Sequence, residues 1–217
     1  MSSGVYGSPL VTVKDGTGRT YDFFDNATFR SYLNQLATGA TISSLSSYLD
    51  EFKTFPQVDE VLVTYFDEAV KSSEGKQRIA GSILVGCLSE LLVLRLLKTV
   101  GEYLGDVNSV QNYLSKKNNI QRQFDFTKQM VVKGRAKIEA KGTLSAVQSR
   151  AFRDFDDIAV HVFDSIRLRR NEYVHPTPDL TLDTLPSADV IANHIQAFNP
   201  YAKVFLTLIN MFKNAVP

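Results

Sequence analysis

The chain has 217 residues, of which 44% are hydrophobic and 22% charged, and its formal net charge is +1. This length and composition are those of a globular protein with a sizeable core. The single cysteine, Cys87, excludes an internal disulfide and a cysteine-cluster metal site. Residues 1–10 lack the charged and apolar regions of a secretory signal, so we expect a cytoplasmic protein.

Residues 1–57 are predicted to form a small N-terminal extension. The turn signal Asp15-Gly16 separates two runs of β-forming residues, which predicts a hairpin over residues 9–24. Two short helices are expected to follow, the first ending at Gly39 and the second before Pro56. We therefore place the boundary of the main domain at residue 58.

Residues 58–217 are predicted to form an all-α bundle. After a first amphipathic helix over 58–72, a longer helix over 77–104 is apolar on nearly every face and ends at Gly105. Glu90 and Arg95 within it argue against a membrane span. We expect it to be the central buried helix, in which the Glu90 carboxylate needs a partner.

The middle of the bundle is strongly basic. Two helices are expected between residues 107 and 140, with a break near Asn118-Asn119. From Lys116 to Arg153 there are ten Lys or Arg side chains against two carboxylates, a local charge of +8. Such a segment suits phosphate binding, although a solvated helix face explains it equally well. The candidate RNA-binding residues are Lys133, Arg135 and Lys137.

A long helix is predicted from about Leu144 to Val174, and Pro176 should end it at or just before His175. Apolar residues recur along this helix at steps of three and four, with one step of seven across the arginines, which predicts its buried face. The members of this stripe are Phe152, Phe155, Ala159, Val162, Ile166 and Tyr173. A last helix is expected over 187–212, broken or kinked at Pro200.

The end of the long helix concentrates cationic and polar side chains. At about 100° per residue, Arg167, Asn171 and His175 form one polar row, while Arg170 lies beside the apolar stripe. Arg170 and His175 therefore cannot aim at one atom within a regular helix. Either the final turn unwinds or the second group comes from another chain. The same cations could also serve only to cap the helix.

The residues from Arg170 to His175 resemble the Arg-Asn-x-x-x-His signature of the HEPN superfamily, and residues 80–92, with Glu90, resemble its earlier helix with an acidic residue. The resemblance covers about residues 58–214. It implies an all-α bundle that dimerises through the motif helices. Many members are metal-independent endoribonucleases of toxin–antitoxin or antiviral systems, and others are binding modules without turnover.

The resemblance and the chemistry of RNA cleavage by 2′-hydroxyl attack suggest the same roles. His175 is the candidate for proton transfer, Arg170 for phosphate charge, and Asn171 for orientation. Glu90, Arg167 and Tyr173 are expected to support them, with Glu90 within about 6 Å of an arginine. We expect no metal or cofactor, no membrane, and as partners RNA, a second copy of the chain, and an antitoxin or regulatory protein. The alternatives are a non-catalytic nucleotide- or protein-binding module and a plain structural bundle.

Overall fold

The computed structural model describes residues 11–14, 20–23, 45–75, 77–116, 119–142, 144–174 and 188–215. The chain divides into two compact units, Met1–Ile42 and Ser43–Pro217. In the first unit, strands β1 (Val11–Lys14) and β2 (Thr20–Phe23) pair antiparallel, with Val11 opposite Phe23. The predicted hairpin is confirmed, whereas the first predicted short helix lies outside the described residues.

The second unit is all-α in its described residues, which confirms the predicted class. Its helices are α1 (Leu45–Lys53), α2 (Glu60–Glu74), α3 (Arg78–Leu104), α4 (Val107–Ser115), α5 (Ile120–Glu139), α6 (Ala146–Asp154), α7 (Val160–Val174) and α8 (Ala188–Asn214). Helix α1 packs against α2 and α8. The division between the units therefore falls at residues 42 and 43, and not at residue 57 as the sequence suggested.

Local sequence signals set several helix ends. The Asp59 side chain accepts a hydrogen bond from the backbone N–H of Leu62 at the start of α2, and Asn119 caps α5 in the same way. Ser145 and Gln148 form a reciprocal capping box at the start of α6. Helix α3 ends at Gly105, whose φ of 76° lies in the left-handed region that glycine adopts without strain.

Helix α3 lies at the centre of the bundle and packs against α2, α5, α7 and α8. These neighbours explain why its sequence is apolar on nearly every face, with Leu88, Leu92 and Val93 fully buried. By length and composition alone, Ile79–Leu104 could cross a membrane. Half of its apolar window is buried inside the unit, and one such helix is weak evidence for a membrane span.

The predicted long helix is continuous from Ala146 to Val174, but it contains a π-helical turn at Phe155–Ala159 that joins α6 to α7. The periodic apolar pattern of the sequence gives no sign of this turn. The predicted apolar stripe is buried as expected, including Phe155 and Ala159 within the π turn. The apolar face is thus buried on both sides of the π turn and within it.

The last helix was predicted to be broken or kinked at Pro200, and α8 runs through Pro200 as one helix, so it is not broken there. The residues around the proline, including Phe198 and Tyr201, are completely buried. Asn199 is 2% exposed, and its side-chain amide donates to the Tyr48 carbonyl at 2.9 Å and to Glu51 Oε2 at 3.0 Å. Tertiary packing and these bonds to α1 hold the helix together where the proline removes a backbone donor.

Candidate functional site

The close approach of α7 to α3 depends on Gly86. A Cβ atom added at this position would lie 2.6 Å from Arg170 Cγ and 2.7 Å from Arg170 Cβ, well inside van der Waals contact. The missing side chain of Gly86 thus makes room for the aliphatic stem of Arg170. Glu90 lies one turn further along the same face of α3, where the guanidinium of Arg170 reaches it.

Arg170 and Glu90 form an ion pair across these two helices. Arg170 Nη2 lies 3.8 Å from Glu90 Oε2, and the side chains are only 24% and 20% exposed. Arg170 Nη1 also donates a hydrogen bond to Asn171 Oδ1 at 3.1 Å. The prediction that Glu90 lies within reach of an arginine of the motif is confirmed, and Arg170 is positioned from both sides.

Burial dominates the electrostatics of Glu90. It raises the pKa of the carboxyl above its ordinary value, and the nearby charges of Arg170 and then Arg167 oppose this shift without cancelling it. A separation of 3.8 Å is longer than a charge-assisted hydrogen bond, so the pair stabilises the carboxylate only in part. The carboxylate therefore retains capacity for a further donor.

Arg167 makes its salt bridge within α7, where its Nη2 lies 3.5 Å from Asp164 Oδ1. Its side chain is 21% exposed, similar to that of Arg170. The two guanidinium groups are thus both partly withdrawn from water and only loosely neutralised, which favours binding of an anion beside them.

These side chains line a cleft of about 520 Å³ between α3, α5 and α7. Its lining residues are Glu90, Leu94, Asn119, Ile120, Gln121, Gln123, Arg167, Arg170 and Asn171. The start of α5 was missing from the sequence-based site. Asn119 could be recognised as a helix cap, but nothing in the local pattern indicates that this cap would lie against residues 167–171.

Four buried polar atoms of the cleft residues have no hydrogen-bond partner within the described part of the chain. They are Glu90 Oε1, Gln121 Oε1, Arg167 Nε and Arg170 Nε. An unpaired buried polar group costs about 1–3 kcal/mol, and native proteins contain few of them. Two acceptors and two donors left unpaired around one cleft indicate a site that a polar ligand can complete.

The other predicted site residues lie elsewhere or are not described. Tyr173 is 8% exposed and belongs to the core instead of the cleft lining. His175 lies outside the described residues and follows Val174, the last residue of α7, in the chain. The proton-transfer role assigned to His175 therefore stays a prediction.

The predicted RNA-binding lysines and arginine lie near the far end of α5, roughly 20–25 Å along its axis from Ile120. Arg135 Nε bonds Glu139 Oε1 at 3.0 Å, and Lys137 Nζ donates to the Tyr103 carbonyl at 2.9 Å. Lys133 is exposed. Two of the three cations are thus engaged within the protein, and the cleft does not include any of them.

Comparison of the chain with protein-family models, with curated proteins and with solved structures gives no match. The functional interpretation therefore rests on the residues of the cleft and on the sequence motif beside it.

Proposed function

We propose that this protein is a metal-independent endoribonuclease of the HEPN type, with the cleft as its phosphate-binding site. The observation that carries the proposal is the placement of Arg170, which Glu90 and Asn171 hold in a partly buried position next to Arg167. Two fixed, partly desolvated guanidinium groups are suited to the charge that develops on a phosphodiester during cleavage.

In the proposed reaction, the 2′-hydroxyl of the substrate attacks the adjacent phosphorus and the bond to the 5′-oxygen of the next nucleotide breaks. The His175 imidazole of one copy accepts the proton of the 2′-hydroxyl, and the His175 imidazolium of the second copy donates a proton to the leaving 5′-oxygen, because imidazole titrates near neutral pH. Arg170 and Arg167 stabilise the phosphorane, and Asn171 orients Arg170. The products are a 2′,3′-cyclic phosphate and a 5′-hydroxyl, and no atom is oxidised or reduced.

The proposal includes a homodimer formed through the helix over 152–175, because Arg170 and His175 of one regular helix cannot converge on one atom. The His175 of a second copy would lie beside the Arg170 of the first. A cytoplasmic toxin or antiviral role, with an antitoxin or another regulatory protein as partner, belongs to the same proposal and follows from the motif resemblance.

One observation favours a second candidate, a nucleotide-binding module without turnover. The cleft volume of about 520 Å³ lies within the range of small-molecule sites. It would therefore accommodate a single nucleotide whose phosphate lies against the arginines.

Incubation of the purified protein with total RNA in EDTA tests the proposal. We expect fragments that end in 2′,3′-cyclic phosphate, and a His175→Ala variant that is slower by about 10²–10⁴. Arg170→Lys should also lose most activity, since lysine keeps the charge but lacks the planar fork. The matched control is Arg150→Lys, an exposed arginine on α6 outside the cleft and outside residues 152–175, which should cleave normally. Intact RNA, or cleavage that survives both site variants, would refute the nuclease assignment.

A further inference from the structure

We infer that the cleft recognises a guanine base, with Glu90 and Gln121 as the acceptors for its N–H groups. The guanine can belong to RNA or to a free nucleotide. The inference deepens the proposed function and rests on it only for the assumption that RNA is the source of the base. Its basis is the combination of unpaired donors and acceptors around one cleft.

The orientation of the Gln121 amide makes its oxygen an acceptor for the cleft. Gln121 Nε2 donates to Asp125 Oδ1 at 3.5 Å, and Lys128 Nζ lies 2.8 Å from the same carboxylate oxygen. A carboxylate can only accept, so it takes the amide nitrogen and leaves Oε1 of Gln121 without a partner. Helix α5 begins one residue earlier, at Ile120, and fixes the position of this side chain.

Glu90 supplies the second acceptor, from α3. Its Oε2 faces Arg170 at 3.8 Å, and its Oε1 has no partner in the described residues. Both unpaired oxygens are shielded from solvent in the empty protein. Terminal torsions of Glu and Gln side chains are broad, so a small rotation can direct each oxygen to a ligand.

Guanine matches this set of groups better than the other bases. Its Watson–Crick edge presents adjacent N–H donors at N1 and N2, which a carboxylate and an amide oxygen can accept. The two arginines of the cleft remain for the phosphate of the same nucleotide, as in the proposed function. Uracil offers a single N–H on this edge, and adenine and cytosine offer only an exocyclic amine. Leu94 and Ile120 provide apolar lining for the faces of the base.

Calorimetric titration of the full-length protein with single nucleotides tests the inference without relying on cleavage. We expect 5′-GMP to bind roughly 5- to 150-fold more tightly than AMP, CMP or UMP, the range for one bidentate base contact. Inosine 5′-monophosphate lacks the N2 amine and should lose at least part of this preference. Equal affinity for GMP and AMP, or for GMP and inosine monophosphate, would overturn the inference.

The variant Gln121→Leu should abolish the difference between GMP and inosine monophosphate. The control is Gln129→Leu, which changes an exposed glutamine on the same helix and should preserve that difference. Glu90→Gln provides an independent test. It replaces one acceptor oxygen by a donor, so it should reduce the preference for GMP over the other nucleotides. Retention of the full preference in a folded Gln121→Leu protein and in Glu90→Gln would contradict the assignment.

RNA oligonucleotides with a single guanosine or adenosine among uridines identify the source of the base. Their affinities are measured with the His175→Ala variant in EDTA, and the oligonucleotide with guanosine should bind more tightly than the one with adenosine. If the guanosine oligonucleotide also binds more tightly than GMP, RNA is the ligand. Cleavage without guanine preference overturns this inference and leaves the nuclease proposal intact. Guanine preference without cleavage supports this inference and refutes the nuclease proposal.

Discussion

Replacement of Gly86 by alanine tests the packing that positions Arg170. The new Cβ would lie 2.6 Å from Arg170 Cγ, about 1 Å closer than carbon atoms normally approach. Overpacking of this kind costs about 1–3 kcal/mol. Alanine favours a helix over glycine by about 1 kcal/mol. The net expectation is a loss of about 0–2 kcal/mol in the free energy of unfolding.

The clash also has a consequence for the ion pair. If Arg170 moves away by about 1 Å, the separation of its Nη2 from Glu90 Oε2 increases from 3.8 Å and their attraction weakens. A double-mutant cycle of Glu90→Gln and Arg170→Gln, measured by urea unfolding, gives the coupling between the two side chains. We expect measurable coupling in the parent protein and a smaller coupling in the Gly86→Ala background.

The control for helix propensity is Ala136→Gly on the exposed face of α5, which should cost about 1 kcal/mol through propensity alone. The packing argument would be refuted if Gly86→Ala stabilised the protein by the amount that Ala136→Gly destabilises it. That result would mean that α3 and α7 do not approach each other at Gly86.

Three further expectations concern stability and assembly. Folding raises the pKa of the Glu90 carboxyl, so the native state binds its proton more tightly than the unfolded state does. The contribution of Glu90 to the free energy of unfolding therefore falls as the pH rises from the ordinary pKa of 4.5 through the raised pKa. Urea titrations across this pH range should show the fall in the parent protein and not in Glu90→Gln. Asn199→Ala should lower the free energy of unfolding by about 1–3 kcal/mol, since it leaves the Tyr48 carbonyl and Glu51 without their donor, and an unchanged urea midpoint would contradict this. Sedimentation at micromolar concentration should show a homodimer that Leu168→Asp dissociates, because Leu168 is 46% exposed on α7; a monomeric parent protein would refute the dimer.

The local sequence determined most of the helices. Periodic apolar residues and caps such as Asp59, Asn119 and Gly105 act within a few residues of themselves, so their effect on helix position can be inferred without the fold. The same reasoning placed Glu90 near an arginine of the motif, because a carboxylate in an apolar helix needs a counter-charge. These inferences depend on short-range chemistry or on the cost of burial.

Tertiary structure alone decided what surrounds the arginines. Gln121 and the start of α5 reach the cleft because three helices distant in sequence meet there, and no periodic pattern encodes that meeting. Continuity of α8 through Pro200 likewise depends on packing and on the bonds of Asn199 to α1, which outweigh the local preference of proline to end a helix. Local preferences are worth about 1–3 kcal/mol per residue, whereas burial of a whole helix face sums many contacts, so packing prevails where the two conflict.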